Sequence, residues 1–192
     1  MYELNRGTQQ WEILGRKYVE GDTEGTNLGR SVSLAHNGET ILFAVGFPGP
    51  GINEDSDIKS GVEVYSITES GVWDYYGQYI FPKEQYDDTG FKVQLSLDGQ
   101  ILAVSSPQYG LARGLVRMYK YNKNNPDHYQ QVGKDIIGEK DNDEFGFAIS
   151  LSRDGNVVSI GAPNHSYVST FVISGASVGF SDYIVLYCTP FT

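Results

Sequence analysis

The residues able to hold a cation or move a proton are few and scattered along this chain. Asn53, Asp55 and Asp57 alternate through "NEDSDIKSG" (53–61), the spacing by which side-chain oxygens of a loop converge on calcium. Ile58 stands where the turn glycine of such a loop belongs, and Lys59 follows it. The favoured reading is therefore a solvated loop without a cation. "EKDNDEFG" (139–146) also collects acids, as do Asp87 and Asp88, and acids just before a glycine turn cap backbone N–H groups or face water. His36, His128 and His165 fall in a hairpin turn, a polar loop and a loop after proline, with no partner at ligand or triad spacing. They are read as surface turn residues. No Gly-x-Ser-x-Gly elbow is present, and no carboxylate pair is singled out for glycoside hydrolysis, whose spacing is spatial. "GPG" (49–51) lacks the lysine and the following helix of a phosphate loop. Cys188 ends the apolar run "YIVLYC", which suits a buried, inert thiol. The expectation is a non-enzyme with no cofactor and no metal, calcium included.

What must position these residues is a strand-rich framework. The 192 residues can bury a sizeable core, or can form a segment of a larger array, and glycine and tyrosine are abundant. A net charge of −10 argues against nucleic acid, whose phosphates call for lysine and arginine. One cysteine allows no internal disulfide, and no zinc pattern accompanies it. The N-terminus shows no basic start followed by an apolar run, so no signal peptide is visible, and no stretch reaches membrane-helix length. The compartment stays open, with cytoplasm or virion as the expectation.

One unit is written three times. "NLGRSVSLAHNGETILFAVGFP" (27–48), "DTGFKVQLSLDGQILAVSSP" (88–107) and "EFGFAISLSRDGNVVSIGAP" (144–163) align without gaps from Gly29, Gly90 and Gly146 to Gly38, Gly99 and Gly155. Val32, Val93 and Ile149, then Leu34, Leu95 and Leu151, alternate with polar neighbours, which is the period of a strand buried on one face. Asn-Gly or Asp-Gly follows, a tight two-residue hairpin signal. The returning strands "ILFAV", "ILAV" and "VVSI" are almost wholly apolar and end in small residues and a proline. "GVEVYSI" (61–67) and "GLVRMYKY" (114–121) supply a third strand. "WEILGRKY" (11–18), "WDYYGQYI" (73–80) and "YQQVGKDI" (129–136) each place an aromatic residue four positions ahead of a glycine. About four short strands recurring every 50 to 60 residues predict an all-β, propeller-like array of four-stranded antiparallel blades stacked face to face. The expected blades are 11–67, 73–121 and 129–173 within one domain of 1–192, with 174–192 as a closing or docking segment.

The copies resemble the FG-GAP repeats of integrin α-subunit-type β-propellers. Phe145-Gly146 and Gly161-Ala162-Pro163 carry both signatures in the third copy. Thr89-Gly90 with Ser105-Ser106-Pro107, and Leu28-Gly29 with Gly46-Phe47-Pro48, are degraded forms. The resemblance covers about residues 11–165 and implies a propeller. It lacks the acidic loop between the FG and GAP strands that holds calcium in members of that family.

From Tyr167 to Thr192 the only charged residue is Asp182, and "TFVI" and "YIVLY" read as strands. Two fates compete for them: completing the third blade or closing on the N-terminal region, or docking on another protein. The lean is that at least one strand pairs across a subunit boundary, with Phe171, Val172, Tyr183, Val185 and Tyr187 as interaction residues. An apolar strand edge calls for such cover. The functional expectation is a non-catalytic protein–protein interaction or structural scaffold module, for instance part of a large assembly such as a capsid, acting by self-association or within a complex. The alternative is an adhesion or lectin-like module taking glycan on "YDDTGF" (86–91), "PQYG" (107–110) and the loop at 47–60.

Overall fold

The computed structural model describes residues 2–13, 27–49, 60–68, 71–125, 128–172 and 184–187. A short hairpin of β1 (Tyr2–Asn5) and β2 (Gln10–Ile13) comes first and forms its own two-stranded sheet. The first blade is β3 (Ser31–His36), β4 (Ile41–Phe47), β5 (Gly61–Ile67) and β6 (Trp73–Tyr75), in that spatial order. The second is β7 (Val93–Leu95), β8 (Ile101–Ser106), β9 (Leu115–Tyr121) and β10 (Tyr129–Gln131), with β11 (Ile136–Ile137) also pairing β9. The third is β12 (Ala148–Leu151), β13 (Val157–Ala162), β14 (Tyr167–Val172) and β15 (Ile184–Tyr187). Every pairing in the blades is antiparallel, and all but that of β11 with β9 join neighbours in sequence.

Both strands of the apolar tail therefore pair within the chain. β14 lies on β13, placing Val158 opposite Phe171, and β15 lies on β14, placing Tyr187 opposite Tyr167. Of the two fates read from the sequence, the chain itself shows the first, completion of the third blade.

The connection between the first two strands of a blade is longer than a two-residue turn. In the second blade Ser96 N–H donates to Ile101 O at 2.8 Å, and Ser96 Oγ accepts from Ile101 N–H at 2.9 Å and donates to Asp98 Oδ1 at 2.7 Å. The third repeats this with Ser152 and Asp154. The serine and aspartate side chains satisfy loop groups that a tighter turn would leave to the backbone, which widens the loop.

Each blade buries what its neighbour offers. Ala35, Leu42, Ala44, Val62 and Val64 of the first blade meet Val93, Leu95, Leu102, Val104 and Tyr119 of the second in one core. The opposite face of the second blade, with Ala103, Val116 and Met118, meets Leu151, Val158 and Ile160 of the third. Small residues on one face receive large ones from the next, which lets sheets stack closely. Backbone bonds between blades recur in register: His36 N–H to Leu97 O and Leu97 N–H to Arg153 O, both 2.9 Å. Side chains add Leu95 N–H to Ser33 Oγ and Leu151 N–H to Gln94 Oε1, again both 2.9 Å.

Candidate functional site

The antiparallel β12–β13 hairpin brings its two flanking segments to one end of the third blade. Asp143 precedes the hairpin and His165 follows it. Asp143 has no exposed surface, and its Oδ1 lies 2.5 Å from Nδ1 of His165, whose side chain is 40% exposed. Oδ2 accepts the Lys140 N–H at 2.8 Å and the Tyr167 O–H at 2.7 Å, while the Tyr167 oxygen accepts Glu139 N–H at 3.2 Å. Asp143 Oδ1 accepts no aligned hydrogen bond among the described residues. The His165 imidazole therefore comes close to this oxygen but off the line of an aligned hydrogen bond. Burial, and then the Asp143 carboxylate, push the Tyr167 phenol well above the ordinary tyrosine range, so it remains a donor.

The second blade shows how much of this is architecture. Asp87 holds the equivalent place, three residues before Gly90, and is also buried. It accepts N–H groups from Lys83, Glu84 and Thr89 at 2.8, 3.1 and 2.8 Å, which is the capping role expected of acids before a glycine turn. Asp143 keeps one such cap and exchanges the others for a phenol and an imidazole. That exchange separates a turn-forming aspartate from one with chemical reach.

A buried negative carboxylate this close to Nδ1 favours, by charge, the tautomer with its proton on that nitrogen, which leaves Nε2 to accept a proton. No hydrogen bond engages Nε2 of His165 among the described residues. An open groove of about 510 Å³, lined by residues including Glu84, Tyr86, Gln108, Leu111, Asp141 and Asn142, takes in the two residues that precede Asp143 in the chain, but neither Asp143 nor His165 lines it. Its walls are laced together: Asn142 N–H donates to Leu111 O at 3.0 Å and Glu144 N–H to Ala112 O at 2.8 Å. Tyr86, Leu111, Ala112, Asn142, Glu144 and Ser166 all have left-handed backbone here, a conformation whose cost the surrounding bonds must hold in place.

Asn53, Asp55, Asp57 and Tyr183 lie outside the described residues. Phe171 is partly buried in its own blade's core, its ring 6.4 Å from that of Phe145, and Val172 is exposed at the strand end. Val185 and Tyr187 sit in β15 opposite Ser169 and Tyr167. None of these joins the Asp143–His165 pair. Among the described residues no group of three or more His, Cys, Asp or Glu could hold a metal ion, and no helix is long and apolar enough to cross a membrane.

Three stacked antiparallel sheets, two of four strands and one of four with β11 added, decide the architecture. The chain is a partial β-propeller. It is similar to the periplasmic gluconolactonase PpgL of Pseudomonas aeruginosa, with a TM-score of 0.54 and 16% identity, over 84% of this chain and 43% of that one. Also similar are TolB from Acinetobacter baumannii (TM-score 0.48, 14% identity, 98% of this chain, 37% of that one) and a candidate 6-phosphogluconolactonase from Bacteroides uniformis (0.49, 10%, 97%, 64%). The chain thus spans less than two thirds of the length of each. No protein family matches it by sequence, and no curated protein does.

These observations correct the expectation of a non-catalytic interaction or scaffold module, and of adhesion as its alternative. That expectation rested on a propeller array without a catalytic constellation. The same architecture serves a gluconolactonase, and the fold itself joins an aspartate to a histidine that lie 22 positions apart. Sequence spacing hides such a pair. The signal that could have revealed it is the hairpin between them, which returns the chain to the same end of its blade.

Proposed function

We propose that this propeller segment contributes to hydrolysis of a sugar lactone, with His165 as general base. The observation that carries the reading is the fully buried Asp143 carboxylate set against Nδ1 of the partly exposed His165. The likeness to a gluconolactonase supports the choice of substrate class. In the proposed step Nε2 takes a proton from water as the water oxygen bonds to the lactone carbonyl carbon. The ring C–O bond then breaks, and the proton returns from Nε2 to the departing ring oxygen, giving the open hydroxy acid. Asp143 acts as the positioning residue: it stabilises the imidazolium formed midway.

The test is gluconolactone opening followed by acid release at constant pH, against the spontaneous rate. The native chain is expected to exceed that rate, and His165→Gln to lose about 10²–10⁴-fold of the excess. A native chain no faster than buffer, or a His165→Gln variant as fast as the native chain, would refute the proposal.

A further inference from the structure

Equivalent positions in the three blades differ sharply in exposure. Val93 and Leu95 are each 6% exposed, covered by the preceding blade, whereas their counterparts Val32 and Leu34 in the first blade are 64% and 63% exposed. Val32 lies opposite Val45 and Leu34 opposite Phe43, so all four share one face. That face continues through Tyr65, which stacks on Phe43 at 5.1 Å. It presents the same pattern of large apolar residues that the second and third blades bury against their predecessors.

The N-terminal hairpin carries the complementary information. Leu4 pairs with Trp11 as Ile67 pairs with Trp73 and Tyr121 with Tyr129. Each of these aromatic residues stands four positions before a glycine, at Gly15, Gly77 and Gly133. β1 and β2 thus hold the sequence place of the two outer strands of a blade, just ahead of β3. Their side chains Tyr2, Trp11 and Ile13 are exposed, and a two-stranded hairpin is marginal by itself.

We propose that β1–β2 is the outer half of a fourth blade and that the face of Val32 and Leu34 receives its inner half. The occupant is a β-hairpin of the same repeat chemistry, running from a glycine through an Asp-Gly or Asn-Gly loop to a proline. Continuity with the existing blade interfaces specifies its bonds. Its loop N–H equivalent to that of Leu97 would donate to His36 O, and a polar side chain equivalent to Ser33 or Gln94 would accept from Leu34 N–H. Such strand addition takes affinity from main-chain bonds and specificity from alternating side chains. This proposal is independent of the lactonase reading.

The probe is a synthetic peptide of residues 88–107, the chain's own inner hairpin from the second blade, added to the whole chain. The expected result is saturable binding by calorimetry, with a change in Trp11 fluorescence on titration. Leu34→Glu, and separately Val32→Lys, should each weaken it at least tenfold while circular dichroism stays native, since both positions are exposed. Absence of binding to the native chain overturns the proposal. So does unchanged affinity in whichever of the two variants keeps the native spectrum. A native dimer by light scattering that excludes the peptide would place a whole second copy on this face, and it overturns the proposal too.

Discussion

Tyr167 gives its phenolic proton to Asp143 Oδ2 across 2.7 Å, tying the first residue of β14 to the loop that precedes β12. The same carboxylate faces His165, so this one bond supports both the fold of the third blade and the setting of the imidazole. Tyr167→Phe removes a donor from a buried charge and is expected to destabilise the chain by about 1–3 kcal/mol. Urea denaturation measures this. Unchanged stability would mean that the bond contributes nothing.

Close backbone approach between blades makes a second prediction. A Cβ on Gly46 would fall 2.0 Å from Gly90 O, backbone against backbone, while one on Gly38 meets nothing within 4 Å although φ is +97°. Gly46→Ala is therefore expected to cost about 3 kcal/mol by overpacking. Gly38→Ala should cost only the strain of its left-handed backbone, about 1 kcal/mol. Thermal melts of the two variants compare them directly, and equal losses would contradict the tight stacking of the first two blades.

The core of the first two blades holds a buried Tyr129 whose O–H donates to Gly99 O at 2.5 Å. Tyr129→Phe leaves that carbonyl without its phenol partner and should cost about 1–2 kcal/mol with the fold kept. Circular dichroism and denaturant midpoints test this.

Alkali should unfold the chain by way of its tyrosines. Burial holds the phenols of Tyr65, Tyr79, Tyr119 and Tyr129 above the ordinary range, and burial with the neighbouring Tyr76 pushes Tyr121 up to about 12. An unfolded tyrosine loses its proton near about pH 10, so above that pH the unfolded state binds fewer protons than the folded one. The stability contributed by these groups is fully present below about pH 10 and falls as pH rises past it. Phenolate absorbance should therefore climb in two stages, exposed tyrosines first and buried ones together with unfolding. A single smooth titration near pH 10 with the fold intact would contradict this.

Much of the architecture was legible because the repeat states its own register. The alternation of Val93 and Leu95 with Gln94 marked the buried face of β7, and Pro107 and Pro163 marked where β8 and β13 end. The loops were misjudged because Asp98 and Asp154 look like turn residues, while the serines two positions before them widen the turn through side-chain bonds. The tail was ambiguous because apolar strands suit a blade's outer edge and a docking surface equally well. The Asp143–His165 pair was not legible at all. A histidine two residues past a proline has the look of a surface turn until the hairpin folds back and sets a buried carboxylate beside it.

The most direct check on the account is the tautomer of His165, read from long-range ¹H–¹⁵N correlations of the imidazole and assigned by loss of its signals in His165→Gln. The account predicts a proton on Nδ1, held toward Asp143, with Nε2 bare, and loss of that preference in Asp143→Asn. A native spectrum with the proton on Nε2 would contradict it, because the nitrogen that should accept a proton from water would already carry one.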